Sequence, residues 1–217
     1  MTFGCIKNLI FDLDGTLIDS SRGVVEATNY ALEQIGAQRR SPEEIIPFIG
    51  YPLETMFRKF SHKSFSEFWR YFQEKARRVI VESTVPLDGA DRTVRELYKQ
   101  GYRMSIGTTK IRVHIEKILN KLNWREYFIC YAGADDVTSV KPAPEVFIKL
   151  LDLMKAETDN TLVIGDTAND VIAARRASLP VVAVKSLFGR DGELEVSKPD
   201  MIISRVDDIL EILDRQE

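Results

Sequence analysis

The stretch FDLDGTLIDS, Phe11 to Ser20, follows directly on the apolar residues Ile6, Leu9 and Ile10. It reads as a buried strand that runs into an acidic turn. In an extended strand residues i and i+2 point to the same side, so Asp12 and Asp14 bring two negative charges together. Like charges at that spacing repel unless something cationic sits between them. The fold and the chemistry both depend on where that cation comes from.

Outward from this strand, short apolar runs recur: Tyr102 to Gly107, Phe128 to Ala132, Thr161 to Gly165, Val181 to Val184 and Met201 to Ile203. Between them lie segments with helical patterning, at Asp88 to Gln100, Ile111 to Leu122, Pro144 to Met154, Ala168 to Ala177 and Val206 to Leu213. Strands alternating with helices of this length predict an α/β fold, a doubly wound parallel sheet with helices on both faces. From about Ser20 to Val85 the alternation stops. Val24, Ala27, Ala31 and Leu32, and then SFSEFWRYFQEKARRVI, keep a helical period, which predicts an all-helical insertion. The expected division is a catalytic core of residues 1–19 and 86–217 with an inserted cap domain of residues 20–85, hinged near Asp19 and near Pro86 to Gly89. Phe65, Phe68, Trp69 and Phe72 are expected to form the cap's core, and Lys75 to Arg78 an exposed helix face.

Composition bounds the function. With 44% hydrophobic and 29% charged residues the chain is ordinary for a globular protein. A formal net charge of -3 gives no general attraction to nucleic acid or to an anionic bilayer. No stretch has the length of apolar sequence that a membrane span needs, and the N-terminal run is too short for a secretory signal. The expected location is cytoplasmic, with no nucleic-acid or membrane partner, as monomer or homodimer. Cys5 and Cys130 are expected to be small buried hydrophobes, and neither His62 nor His114 is expected to act in catalysis.

Ligands of an open parallel sheet bind beyond the carboxyl ends of its strands. Asp12 and Asp14 follow the first strand, Thr108 and Thr109 the second, and Asp166 with Asp170 follow TLVIG, while Lys141 lies in the loop SVKPAPEVF. Asp12 and Asp166 are hard oxygen ligands of the kind magnesium prefers. Lys141 adds a second positive charge that suits both carboxylates and an anionic substrate. The Thr108 hydroxyl, with backbone N–H groups of Thr109 and Gly15, is expected to cradle a phosphate. Together they describe a phosphoryl-transfer site. The rival structural roles are ordinary ones: Thr108 or Thr109 as N-cap of the helix from Ile111, Lys141 as a solvated loop residue, Asp166 and Asp170 as first-turn acids with Thr167 as their N-cap.

FDLDGTLIDS, IGTTK, KPAPEVF and GDTANDVIAARRA, in that order and with a helical insertion after the first, resemble the haloacid dehalogenase superfamily over essentially the whole chain, and within it the phosphoglycolate phosphatase-like members. The resemblance implies a Rossmann-like core and a magnesium-dependent phosphatase acting on a small phosphorylated metabolite, phosphoglycolate first among the candidates. Pyrophosphate, nucleoside monophosphates and sugar phosphates are the alternatives, as is a mutase of the sugar-phosphate type. It implies that Asp12 is the nucleophile and that Asp14 is the acid and base, with its carbonyl on the metal. Thr108 and Lys141 would hold the phosphoryl oxygens, Asp166 would be the second carboxylate ligand, and Asp170 would sit at the metal, orienting its water or Lys141. Gly15, Thr16, Thr109 and Lys110 would line the substrate site, joined from the cap by Gly50 and Tyr51 of PFIGYPLETMF. Arg22, Arg58 and Lys110 are candidate contacts for a second anionic group such as a carboxylate. Two departures stand out. Ser178 replaces a glycine at a left-handed turn, and Gly107 precedes Thr108 where an apolar residue is usual, which predicts an early end to the second strand. The non-enzyme alternatives are a receiver-like signalling module, which lacks a large helical cap, and a catalytically dead binding protein.

Overall fold

The computed structural model describes residues 5–186, 188 and 192–214. Its centre is a parallel sheet formed by β1 (Asn8–Phe11), β4 (Arg103–Gly107), β5 (Phe128–Ala132), β6 (Thr161–Gly165), β7 (Val181–Val184) and β8 (Met201–Ile203), in the order β5-β4-β1-β6-β7-β8. The alternation of the central strands explains the two-faced core. Leu9 and Phe11 of β1, with Leu162 and Ile164 of β6, pack into one apolar cluster, while Ile10 and Val163 pack into another on the opposite face. Helices α5 (Ala90–Lys99), α6 (Arg112–Lys121), α7 (Glu145–Met154), α8 (Ala168–Arg176) and α10 (Asp208–Asp214) cover these faces. Because β1 is flanked by β4 on one side and β6 on the other, the chain reverses its winding direction beside β1. That reversal opens a crevice at the carboxyl ends of β1, β4 and β6.

The segment of residues 21–83 is helical and is joined to the rest of the chain by two connectors. It comprises α1 (Ser21–Gln34), α2 (Pro42–Ile45), α3 (Leu53–Phe60) and α4 (Phe65–Ser83), around a third cluster built on Ala27, Leu32, Phe57, Phe68 and Ile80. Gly23 is what lets α1 lie against α4: a Cβ there would come 2.7 Å from the Ile80 Cα. The connectors form a short antiparallel ribbon, β2 (Ile18–Asp19) on β3 (Val85–Pro86), which the sequence pattern does not show because each strand is two residues long. Lys121 of α6 fixes the end of α4, its ammonium lying 3.0, 2.6 and 2.9 Å from the carbonyls of Val81, Glu82 and Thr84. A further helix, α9 (Glu193–Ser197), was also not expected.

Two expectations need correction. β4 does not end early: Gly107 pairs with Ala132 inside the sheet. A side chain there would meet Leu150 Cδ1 at 3.0 Å and the Phe147 ring at 3.2 Å, so the glycine answers a close approach of α7. Cys5 is exposed rather than buried, and Cys130 is half-buried. The four aromatics of α4 form the core of the helical segment as expected, Phe68 and Phe72 buried in it and Phe65 and Trp69 packed against it, and Trp69 and Phe72 also border a cavity described below. Ser178 does take a left-handed conformation, with φ 58°.

Candidate active site

The acidic motif is built from a strand end and a tight turn. β1 stops at Phe11, and the Asp12 N–H donates to Ile164 O at 2.8 Å, which anchors Asp12 between β1 and β6. The chain then turns, and the Gly15 N–H donates to Ile18 O at 2.9 Å. The two aspartates are therefore not successive residues of one strand face, and each finds its own lysine. Lys141 Nζ lies 2.5 Å from Asp12 Oδ1, while Lys110 Nζ lies 2.9 Å from Asp14 Oδ2. The other Asp14 oxygen accepts from the Ser20 hydroxyl, which in turn accepts from Lys110 at 3.1 Å.

Gly15 does not supply the phosphate-binding amide expected of it, since that N–H is spent inside the turn. Its requirement is space. With φ at +80° a Cβ would sit 2.0 Å from Asp166 Oδ2. Gly15→Ala should therefore cost about 3 kcal/mol or more through a strained backbone and displacement of Asp166. Urea denaturation midpoints would measure it, and a loss under about 1 kcal/mol would contradict the clash.

Lys141 is the centre of the site. It is fully buried and also donates to Asp170 Oδ1 at 2.5 Å and to Gly107 O at 3.0 Å. Burial alone would depress its pKa, but Asp12 and Asp170 outweigh burial and hold it above the ordinary lysine value. Asp170 is itself pinned: its other oxygen accepts from the Thr167 N–H at 3.0 Å and the Thr167 hydroxyl at 2.6 Å, in a capping box that starts α8. Both Asp170 oxygens are occupied, so its geometry suits holding Lys141. Asp166 accepts from Thr16 Oγ1 at 3.2 Å and Ser186 Oγ at 2.7 Å. Ser20 and Ser186 were not expected at the site, although Ser20 closes the opening motif.

The carboxylates carry more negative charge than the lysines offset. Asp12, Asp14, Asp166 and Asp170, all buried, face a buried Lys141 and Lys110, whose side chain is 8% exposed. Two formal negative charges remain, the charge one divalent cation would balance. Burial, with Asp170 and Asp14 adding repulsion against the pull of Lys141, pushes Asp12 up to about 7. Burial, then Asp12 and Asp170, push Asp166 well above the ordinary carboxylate range. Asp12 Oδ2 is buried with no hydrogen-bond partner, and carboxylate oxygens of Asp12, Asp166 and Asp170 lie within 4.8 Å of one another. An orphaned oxygen in a cluster of hard donors fits a small divalent cation.

Thr108 is buried beside this cluster, its N–H spent on Ala132 O at 3.1 Å and its Oγ1 accepting from the Lys110 N–H at 3.3 Å. The N-cap of α6 is Ile111, so neither Thr108 nor Thr109 fills the capping role. The helical segment touches the core here through its loop. Gly50 O accepts from Thr109 Oγ1 at 3.5 Å, the Tyr51 hydroxyl donates to Glu193, and a Cβ on Gly50 would meet Thr167 Cγ2 at 2.9 Å. Arg22 is not brought in; it is exposed near the start of α1. Arg58 is exposed as well and pairs with Glu54 of its own helix at 2.8 Å.

A cavity of about 100 Å³ lies between the helical segment and the rim, bordered by Asp14, Thr109, Lys110 and His114. His114 is buried with Nε2 unpaired. Burial first, then Lys110 and Lys117, lower its pKa from 6.5 to about 4. The folded state thus holds His114 neutral while the unfolded chain takes up a proton below about 6.5. This contribution to stability is complete above that pH and is lost as pH falls towards 4, by up to about 3 kcal/mol. Denaturant midpoints across this window should fall more steeply for the native chain than for His114→Leu; parallel curves would refute the assignment.

A doubly wound sheet whose switch-point crevice holds a carboxylate at β1, a lysine bridging two aspartates and a helical cover defines a hydrolase that acts on phosphate. The haloacid dehalogenase-like hydrolase family model matches residues 9–184, and the chain belongs to that family. It is 33% identical over 213 residues to the pyrophosphatase PpaX of Bacillus mycoides, covering 97% of this chain and 98% of that one. The solved structure of a haloacid dehalogenase-like family hydrolase from Streptococcus pneumoniae superposes with a TM-score of 0.87 at 25% identity, covering 95% of this chain and 97% of the other. One from Haemophilus somnus, described as a predicted phosphoglycolate phosphatase, gives 0.84 at 25% identity, with the same coverage. Among the described residues no helix is long and apolar enough to cross a membrane.

Proposed function

We propose that the protein is a magnesium-dependent phosphatase that hydrolyses a small phosphomonoester through an aspartyl-phosphate on Asp12. The observation that carries this reading is the unpaired, buried Asp12 Oδ2, beside the Lys141 bridge. Asp12 and Asp166, with the Asp14 carbonyl, would hold magnesium, which supplies charge neutralisation for the transferring phosphoryl group. Asp12 attacks phosphorus, forming its O–P bond as the ester P–O bond breaks. Asp14 gives its proton to the departing oxygen and then takes one from the water that attacks phosphorus, which frees Asp12 and phosphate. Ser20 and Lys110 fix the Asp14 carboxyl, and Lys141 and Thr108 steady the phosphoryl oxygens. Helical residues 20–85 act as the cap, meeting the core through Gly50 and Tyr51.

Two substrates have support outside the geometry: phosphoglycolate from the motif resemblance, and pyrophosphate from the name of the Bacillus relative. The test is phosphate release from a panel of phosphorylated metabolites with and without magnesium. Release that needs magnesium supports the reading; magnesium-independent release, or none from a folded protein, defeats it.

A further inference from the structure

Three of the four buried aspartates at the rim pair with a lysine: Asp12 and Asp170 with Lys141, and Asp14 with Lys110. Asp166 is held differently. Among the described residues it forms no ion pair, and two neutral hydroxyls fix its carboxylate, Thr16 Oγ1 on Oδ1 at 3.2 Å and Ser186 Oγ on Oδ2 at 2.7 Å. A carboxylate offers about four acceptor positions, so both hydroxyls can bind and still leave room for a cation.

Ser186 lies just beyond β7, which ends at Val184, and its Oγ accepts from the Phe188 N–H at 3.0 Å. Serine commonly closes a turn on the backbone two residues further on. A hydroxyl has a single hydrogen to give. With the Phe188 amide on its acceptor side, Ser186 directs that hydrogen to Asp166, so the backbone of Phe188 governs how this carboxylate is held.

The Phe188 side chain belongs to another part of the molecule. It is 2% exposed and sits in the apolar cluster of the helical segment, where among the described residues it is the one member from outside residues 20–85. Its ring also lies against the acidic turn, since a Cβ on Gly15 would meet Phe188 Cδ2 at 2.9 Å. Drawing a buried phenyl ring into water is strongly unfavourable. When the helical segment shifts on the core, the ring therefore follows it and takes the Phe188 N–H away from Ser186, which loosens the Ser186 contact to Asp166.

Resting on the magnesium site proposed above, we propose that Phe188 and Ser186 are positioning residues that couple the seating of the helical segment to the orientation of Asp166, so that magnesium binds more tightly when the segment is seated. Ser186 acts through Asp166, and Phe188 acts through Ser186. By linkage the effect is reciprocal: bound magnesium holds the helical segment on the core by the same factor.

The test titrates magnesium chloride into the substrate-free protein by calorimetry. Ser186→Ala should raise the magnesium Kd by about tenfold or more, and Ser186→Thr, which keeps the hydroxyl, should restore most of the affinity. Phe188→Ala should raise it by about fivefold although a phenyl ring ligates no metal, while Phe188→Leu, which keeps an apolar group in the cluster, should stay within about twofold of the native chain. In the double variant Ser186→Ala, Phe188→Ala the two effects should not multiply, and Kd should stay near that of Ser186→Ala alone. Magnesium should also slow amide hydrogen exchange in α1 and α4 of the native chain, and this slowing should be lost in Ser186→Ala. Melting temperatures in magnesium-free buffer separate coupling from lost packing: a variant that is less stable yet binds magnesium as the native chain does overturns the role of that residue. Effects that multiply in the double variant, or slowed exchange that persists in Ser186→Ala, overturn the coupling. Where Phe188→Ala does not fold, the exchange readout on Ser186→Ala decides the coupling alone. A native chain that binds no magnesium at millimolar concentration would instead defeat the metal site itself, and this proposal with it.

Discussion

Asp12→Asn is expected to lower phosphate release by about 10⁴-fold or more, and to leave the protein at least as stable as the native chain in magnesium-free buffer. The activity loss follows from the proposed role of Asp12 as nucleophile: an amide oxygen at this position forms no stable bond to phosphorus. The stability result is less obvious and follows from electrostatics. Burial is the largest influence on Asp12 and pushes its pKa up to about 7, ahead of the opposing attraction of Lys141. A carboxyl so placed is held against its preference for water, and Asp166 beside it is pushed up for the same reason. Asparagine keeps the shape and removes one of four crowded negative charges, so the strain that serves function disappears with the function. Thermal unfolding of the two proteins without magnesium checks this, and a melting temperature lowered by several degrees in the variant would contradict it. Magnesium should raise the native melting temperature by linkage and raise that of the variant less.

The opening motif explains how much of this was legible in advance. β6 and β7 lie at the positions their apolar runs indicate, because strands buried on both faces leave little sequence ambiguity, and the edge strands β5 and β8 coincide with their apolar runs as well. The order Asp12, Thr108, Lys141, Asp166 along successive strand ends was readable because a parallel sheet brings those ends to one rim. The partners within the rim were not. The repulsion between Asp12 and Asp14 was inferred from an extended strand, whereas β1 stops at Phe11 and the turn sends each carboxyl to a different lysine. That Lys110 would reach Asp14 and Ser20 depends on the path of the loop after β4, which no periodicity encodes.

Glycines were misread for a related reason. Gly15 and Gly107 looked like a phosphate-binding amide and a strand breaker, but both are positions where another side chain comes close: Asp166 in the first case, Phe147 and Leu150 in the second. Those approaches come from residues far along the chain. The aromatic set of α4 was legible from helical spacing, and Phe65, Phe68, Trp69 and Phe72 do pack in the core of the helical segment; that Trp69 and Phe72 also border a cavity is not something spacing shows. His114 had no sequence signal, since a single histidine on an amphipathic helix carries none.

Lys141→Met should produce the largest loss of stability among single changes at this site. The native ammonium serves two carboxylates, at 2.5 Å each, and the Gly107 carbonyl at 3.0 Å, with no solvent to take its place. Methionine fills the volume but donates nothing. Asp12 and Asp170 would then face each other as buried acids without a counter-charge, a state that costs about 3 to 5 kcal/mol. In a chain of this length that corresponds to a fall of about 10 °C in melting temperature, measured by circular dichroism. Arginine would not repair the loss, because its planar fork cannot place a single nitrogen among three acceptors as an ammonium does. The double variant Asp12→Asn, Lys141→Met should regain part of the lost stability, since it removes one of the stranded charges, and the interaction energy from that cycle measures the coupling directly. A single variant within about 2 °C of the native protein would mean that Lys141 is not what reconciles these aspartates, and that the buried acids are already protonated when the chain folds.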